Sequence, residues 1–270
     1  MDEKEIVSMT NEPNTTSSLK DALFELGIAE GDILLVHSSM SSLGWVCGGA
    51  QAVISALMAA AGSEGTIVMP AHSGDWSDPM EWGNPPVPEE WFQAIYESMP
   101  AFDRRITPTR GVGRIPELFR TNPSAIRSDH PQVSFSAAGR NATDIVIEHP
   151  LSPSLGMDSP LGRMYSLDAK VLLLGVGYSS CTSFHLAETL IEEMPTKRMG
   201  TAVTEDGERL WKWFRDFEYD SEDFEKLGED FEFSSVVRRG KVGNAECRLF
   251  SLKSGVDYAR GWLQENRFHR

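Results

Sequence analysis

The chain has 270 residues, 40% of them hydrophobic, and a formal net charge of −15. That length suits a single α/β domain with a sizeable core, and no apolar run approaches the roughly 18 residues a transmembrane helix needs. The negative balance argues against nucleic acid or an anionic membrane as partner and suits a cationic substrate. The charged start, Met1-Asp2-Glu3-Lys4-Glu5, lacks signal-peptide character, so a cytoplasmic location is expected. Residues 1–15, polar and containing Pro13, are expected to form a flexible arm before one domain over 16–270. Cys47, Cys181 and Cys247 are too few and too scattered for a disulfide framework or a zinc ribbon and are expected as free core thiols.

Leu19, Ala22, Leu23 and Leu26 recur at helical spacing, and Gly27 stops the run. Ile33-Leu34-Leu35-Val36 has the continuous apolar character of a buried strand. Gly48-Gly49 opens a helix carrying Val53, Ile54, Leu57 and Met58, and Thr66-Ile67-Val68-Met69 is the next strand. This alternation predicts βα units and a largely parallel sheet. Residues 71–90, rich in Asp, Ser, Pro, Gly and Trp, break the rhythm with a long loop, followed by short helices near 89–97 and 113–120. Val171-Leu172-Leu173-Leu174 is a strand that leads through Gly175 and Gly177 into a helix near Thr182. Trp211, Trp213, Phe217 and Tyr219 alternate along a half-buried strand over 208–219. An acidic stretch at 220–232 is expected as a solvated helix. Residues 234–252 read as a hairpin with Gly240 and Gly243 near its turn, before a last helix bearing Val256, Ala259 and Trp262.

Two segments lie just beyond strands, where open α/β sheets bind ligands. His37-Ser38-Ser39-Met40-Ser41-Ser42-Leu43-Gly44 offers hydroxyls and backbone N–H groups to phosphate, and the Gly48-Gly49 helix start favours anions. A polar turn is the plainer alternative. In the second segment Thr182 is a candidate N-cap, placing His185 in a first helical turn whose dipole favours the neutral imidazole that a general base requires. Glu188, three residues on, shares that helix face and can orient the ring. A structural histidine beside a surface glutamate is the alternative. In Thr107-Pro108-Thr109-Arg110-Gly111, Arg110 supplies a planar fork for an anion. Asp75, Asp78 and Glu81 among Trp76 and Trp82 suit a polycation with sugar rings, with Thr182 as a further substrate-side residue. The spacing of His37, His72 and Asp75 does not match a zincin, so no metal is expected. Asp129-His130-Pro131 and His149-Pro150 read as rigid turns.

The sequential order of these pieces resembles the aminoglycoside 3-N-acetyltransferase family, in its bacillus-type members. The matching runs are Leu35-Val36-His37-Ser38-Ser39 with Leu43-Gly44, Gly48-Gly49, Gly65-Thr66-Ile67-Val68-Met69-Pro70, and Pro85-Pro86-Val87-Pro88-Glu89-Glu90-Trp91. They continue through Thr107-Pro108-Thr109-Arg110, Ser159-Pro160-Leu161-Gly162, Val171 to Gly177 with Thr182, His185 and Glu188, and Gly240-Lys241-Val242-Gly243. The resemblance implies a three-layer α/β/α fold with a central largely parallel or mixed sheet and a C-terminal antiparallel extension. It implies acetyl-CoA as donor and an aminoglycoside amine, or another amine, as acceptor, an activity tied to antibiotic resistance. The loop of His37, Ser38, Ser39, Ser41, Leu43 and Gly44 and the loop of Thr109, Arg110 and Gly111 would hold CoA, and His185 would be the catalytic histidine. Many members carry Asp six residues before that histidine. This chain has Ser179 there, which removes a carboxylate from the acceptor side. Two rival readings stand beside transfer: a CoA-binding homologue that does not acetylate antibiotics, and a hydrolase using His185 or His37.

Overall fold

Side-chain alternation along three apolar strands builds a core on each face of one sheet. In the computed structural model, which describes residues 3–268, β1 (Ile33–Ser38) runs parallel to β2 (Thr66–Pro70), with Leu35 opposite Val68. After β3 (Ile126–Arg127) and β4 (Phe135–Gly139), β5 (Lys170–Leu174) pairs in parallel with the other side of β1, setting Leu35 opposite Val171. Successive residues point to opposite faces, so Leu35, Val68 and Val171 enter one core and Leu34, Val36, Ile67 and Leu172 the other. Burial on both faces is why these strands read as unbroken apolar runs.

Antiparallel strands extend this parallel centre on both sides. β4 pairs with β2, and β3 with β4. A separate two-stranded sheet joins β6 (Thr196–Glu205) to β7 (Glu208–Phe217). Next, β8 (Arg238–Val242) and β9 (Ala245–Ser251) form a hairpin that adds to β5, giving the seven-strand order β3-β4-β2-β1-β5-β9-β8. Helices cover both faces. Of α1 (Glu3–Ser8), α2 (Thr16–Leu26), α3 (Gly49–Ala61), α4 (Phe92–Ser98) and α5 (Arg114–Phe119), the second, third and fifth bury Leu23, Leu57 and Phe119 in one core. On the other face, α6 (Ala142–Val146), α7 (Pro160–Ser166), α8 (Phe184–Glu188), α9 (Phe224–Ser234) and α10 (Leu252–Leu263) bury Ile145, Leu161, Leu186, Leu227 and Val256. The three-layer α/β/α architecture is the one the family resemblance implies, and the sheet is mixed, with β1, β2 and β5 as its parallel centre.

Several local expectations change. Among residues 3–15 of the expected arm, α1 is followed by a tether: the Trp45 N–H donates to Thr10 Oγ1 (2.8 Å), and Asn14 bridges to Val46 and donates through Nδ2 to the Leu43 carbonyl (2.9 Å). Residues 1 and 2 lie outside the described residues. The acidic stretch is not solvated all round, because Phe224, Leu227 and Phe231 bury one face of α9 beneath its carboxylates. Gly240 lies within β8, and the hairpin turns at Gly243-Asn244. Cys181 and Cys247 are buried thiols as expected, whereas Cys47 is exposed. No described helix is long and apolar enough to cross a membrane.

Candidate active site

The carboxyl ends of β1, β2 and β5 open into a cavity of about 970 Å³. β1 delivers His37 and Ser38, and the loop after it contributes Ser39, Ser41 and Gly44. Hydrogen bonds to the neighbouring strand end fix this loop: the Ser39 N–H donates to the Leu174 carbonyl (3.0 Å), and the Ser42 hydroxyl is 3.0 Å from the Gly175 carbonyl. Gly44 has φ +77°, and a Cβ there would fall 2.9 Å from Asn244 and Thr10, so the close approach of those segments requires glycine. Gly111 to Arg114 also line the space, α1 adds Glu3 and Ile6, and the segment after β5 adds Val176, Ser179, Ser180, Thr182 and His185. The first residues of α3, Gly49 and Ala50, also line the space. The first turn of that thirteen-residue helix and the Arg114 guanidinium therefore border the same space as the serine loop. Hydroxyls, a helix N-terminus and a guanidinium make a donor set that fits a phosphate-bearing ligand such as CoA.

At the inner end stands an ionisable pair. His185 Nδ1 lies 2.6 Å from Glu188 Oε2, as expected of residues three apart on one helix face. The Glu188 side chain is 0% exposed and that of His185 17% exposed, so one partner is sealed in and the other reaches the cavity. An ionised carboxylate on Nδ1 fixes the neutral ring as its Nδ1–H tautomer, leaving Nε2 as the proton acceptor. The Tyr219 and Phe224 rings hold the imidazole, with centroids 5.3 and 4.7 Å away. α8 has five residues, too short for its dipole to govern the ring, so the electrostatics come from Glu188. Ser183 rather than Thr182 is the N-cap, and it makes no side-chain capping bond. The Thr182 carbonyl accepts the His185 N–H at 3.1 Å.

Two further histidines line the same cavity. Burial, with repulsion from the histidines around them, pushes both His37 and His72 down to about 3. They are neutral at physiological pH, so an incoming cation meets no positive charge from them. Their Nε2 atoms and the Ser38 hydroxyl are buried without a hydrogen-bond partner among the described residues. Nearby, Arg127 is a buried hub. It donates to the carbonyls of Thr107 (2.5 Å) and Ala71 (2.6 Å) and to the hydroxyls of Ser73 and Ser134 (both 2.8 Å), tying the His72 segment to the loop before Gly111. Among the described residues no cluster of three or more His, Cys, Asp or Glu is arranged to hold a metal.

The structure gathers His37, Ser38, Ser39, Ser41, Gly44, Gly111, Thr182 and His185 around one space, with Glu188 behind them. It does not bring the rest of the expected set there. Leu43 is core, its carbonyl accepting the Asn244 N–H at 3.0 Å. Thr109 spends both its N–H and its hydroxyl on Glu117. Arg110 is held by Asp75 (3.2 Å) and the Asn84 carbonyl (2.9 Å). Asp78 caps Met80 and accepts from Tyr96 (2.8 Å), and Glu81 pairs with Lys197. These carboxylates already have partners and do not line the cavity. His72, weighed in the sequence only as a metal ligand, lines the cavity, and Arg114 and Arg267 carried no signal in the sequence. Arg114 opens the short helix α5 without a motif, and Arg267 is far along the chain from Glu188, with which it pairs.

Comparison with known proteins agrees with this architecture. A sequence model described as aminoglycoside 3-N-acetyltransferase matches residues 35–264. The chain is 48% identical over 264 residues, 97% of each protein, to the SPbeta prophage-derived aminoglycoside N(3')-acetyltransferase-like protein YokD of Bacillus subtilis (strain 168). It is 34% identical to aminoglycoside N(3)-acetyltransferase VII of Streptomyces paromomycinus, over 98% of this chain and 96% of that one. The crystal structure of YokD superposes with a TM-score of 0.96, covering 97% of this chain and 98% of that one. AAC-IIIb, solved as a binary complex with CoASH, is 28% identical with a TM-score of 0.84, covering 94% of this chain and 97% of that one. The chain belongs to the aminoglycoside 3-N-acetyltransferase family, a family of acetyltransferases.

Proposed function

We propose that this protein transfers an acetyl group from acetyl-CoA directly to an amine, the 3-amino group of an aminoglycoside being the favoured acceptor, with His185 as general base. The observation that carries the reading is the buried Glu188 carboxylate 2.6 Å from His185 Nδ1, at the inner end of a cavity whose outer walls suit an anionic ligand. AAC-IIIb was solved with CoASH and AAC-VIa with sisomicin, and the latter superposes on this chain with a TM-score of 0.84 at 28% identity.

Acetyl-CoA supplies the acyl group as an activated thioester. The outer loop of Ser38, Ser39 and Ser41, the start of α3 and Arg114 hold its charged portion. Gly44, Gly111 and His37 line the same cavity. An acceptor amine is largely protonated at neutral pH and must lose a proton to attack. His185 Nε2 takes that proton, while Glu188 holds Nδ1 and stabilises the imidazolium that forms. The freed amine attacks the thioester carbonyl, the C–S bond breaks, and CoA leaves as the thiolate while the new amide nitrogen gives up its second proton. Holding both substrates in one cavity removes much of the entropic cost of their meeting. Thr182 lies on the acceptor side, next to the base.

A thiol-release assay with acetyl-CoA against a panel of aminoglycosides and simpler amines tests the reading. Turnover with an aminoglycoside is the expected result. Acetyl-CoA binding without turnover on any amine would favour the second reading, a CoA-binding homologue. That alternative draws on Ser179 at the cavity and on the engagement of Asp75, Asp78 and Glu81 elsewhere.

A further inference from the structure

Glu188 has a second partner, far away in sequence. Its Oε1 accepts from Arg267 Nη1 at 2.5 Å and from the Asp220 N–H at 3.2 Å. Arg267 lies on the π-helical turn Gln264–Phe268 that continues α10, with its side chain 14% exposed. The guanidinium is fixed on its other edges. Nε donates to Asp223 Oδ2 (2.7 Å), and Nη2 donates to the Asp220 carbonyl (2.7 Å) and to Asp223 Oδ1. A relay of charge-assisted hydrogen bonds therefore runs from His185 through Glu188 and Arg267 to Asp223. A fully buried carboxylate beside a neutral imidazole alone would be strongly disfavoured. Arg267 is the one cation hydrogen-bonded to the pair among the described residues.

Resting on the reading of His185 as base, we infer that Arg267 is a positioning residue for acetyl transfer: it keeps the buried Glu188 ionised and turned toward His185, and its charge limits how tightly the His185–Glu188 pair holds a proton. The sign follows from Coulomb's law. Removing a positive charge in contact with Glu188 raises the proton affinity of the pair, whichever of the two groups carries the proton. The other groups facing His185 do not supply this effect. His37 from β1 and His72 after β2 are held neutral by burial, and Tyr219 after β7 and Phe224 at the start of α9 present rings. Asp220 and Asp223 lie behind Arg267, and Asp216 bears on Tyr219. Burial works against the charge on Arg267, but the hydrogen bonds it donates to Asp223 and Glu188 outweigh it, so the guanidinium stays protonated.

The test uses the full chain with Arg267→Met and Arg267→Lys. The His185 imidazole is titrated by NMR, its signal assigned through His185→Gln, and kcat/KM for thiol release is followed against pH. In Arg267→Met the imidazole should titrate about one pH unit higher. The acid limb of the activity profile should move with it, with about tenfold less activity near neutrality that recovers at alkaline pH. Arg267→Lys, which keeps the charge but loses the fork, should hold the limb near the native position with a lower kcat. It carries the test if the Met variant does not fold, since a limb displaced in the Lys variant as far as in one without charge contradicts the electrostatic role. Activity lowered equally at every pH, with the imidazole titration unmoved, overturns the inference and leaves Arg267 a structural staple. An imidazole titration that moves while the acid limb stays put upholds Arg267's hold on the pair and overturns His185 as the base.

Discussion

At the residue scale, two contacts define the candidate base, the Glu188 carboxylate on His185 and the Arg267 guanidinium on Glu188. Glu188→Gln keeps the shape of the side chain but removes the charge that supports an imidazolium, and it leaves Arg267 facing a neutral amide. A fall in kcat of about 100-fold is expected, with KM for acetyl-CoA little changed, as measured by steady-state thiol release. Arg114 and Arg110 provide the complementary test. Arg114 lines the cavity, whereas Arg110 is engaged by Asp75 and Asn84 outside it. Arg114→Ala should raise KM for acetyl-CoA about tenfold, the worth of one charge-assisted contact, while Arg110→Ala leaves it nearly unchanged. The reverse ranking would move the anion site to the loop that the sequence favoured. His185 and Glu188 were legible because both lie on one helix face just beyond an apolar strand. Arg267 carries no such signal: its relation to Glu188 arises only when α10 folds back across α8 and α9.

At the element scale, legibility followed burial on both faces. β1, β2 and β5 announce themselves as unbroken apolar runs because helices cover both of their sides. β4, Phe135-Ser136-Ala137-Ala138-Gly139, is small and polar enough to pass for loop, and β6 mixes Lys197, Arg198 and Thr201 with Met199 and Val203, which blurs its period. α9 was misjudged because its carboxylates mask an apolar stripe. The long loop after β2 depends on Arg127, which is 4% exposed, has no carboxylate hydrogen-bonded to it among the described residues, and stacks 4.9 Å from the Phe102 ring centroid. Arg127→Met leaves the Thr107 carbonyl without its donor and loosens the seating of His72. A loss of about 2–4 kcal/mol is expected in denaturant unfolding, well beyond that of an ordinary surface change. A change within about 0.5 kcal/mol would show that the loop is held by other means.

At the scale of the whole molecule, four buried histidines set the acid stability. His37 and His72 are pushed by burial to about 3, His149 to about 4, and His130 well below 6.5. In the unfolded chain each titrates near 6.5, so below that value the unfolded state binds protons that the folded state refuses. Stability is therefore complete above about pH 6.5 and falls as pH drops toward 3. Burial raises Asp216, which works the other way, but it is one group against four. Thermal melts should show a flat Tm above neutrality and a steady decline from about pH 6.5 downward. A Tm unchanged between about pH 7 and 4.5 would contradict the neutral, buried state of these rings. The same property would serve the proposed transfer, since neutral His37 and His72 put no positive charge in the way of a cationic amine approaching His185 in a protein of net charge −15.

The most direct measurement pairs two readouts on His185→Ala: binding of acetyl-CoA by calorimetry, and thiol release with the best aminoglycoside acceptor found for the native protein. Retained acetyl-CoA affinity with kcat reduced about 100-fold or more is the predicted result. Native turnover in the variant would contradict the account, because the acceptor amine would then be losing its proton without His185.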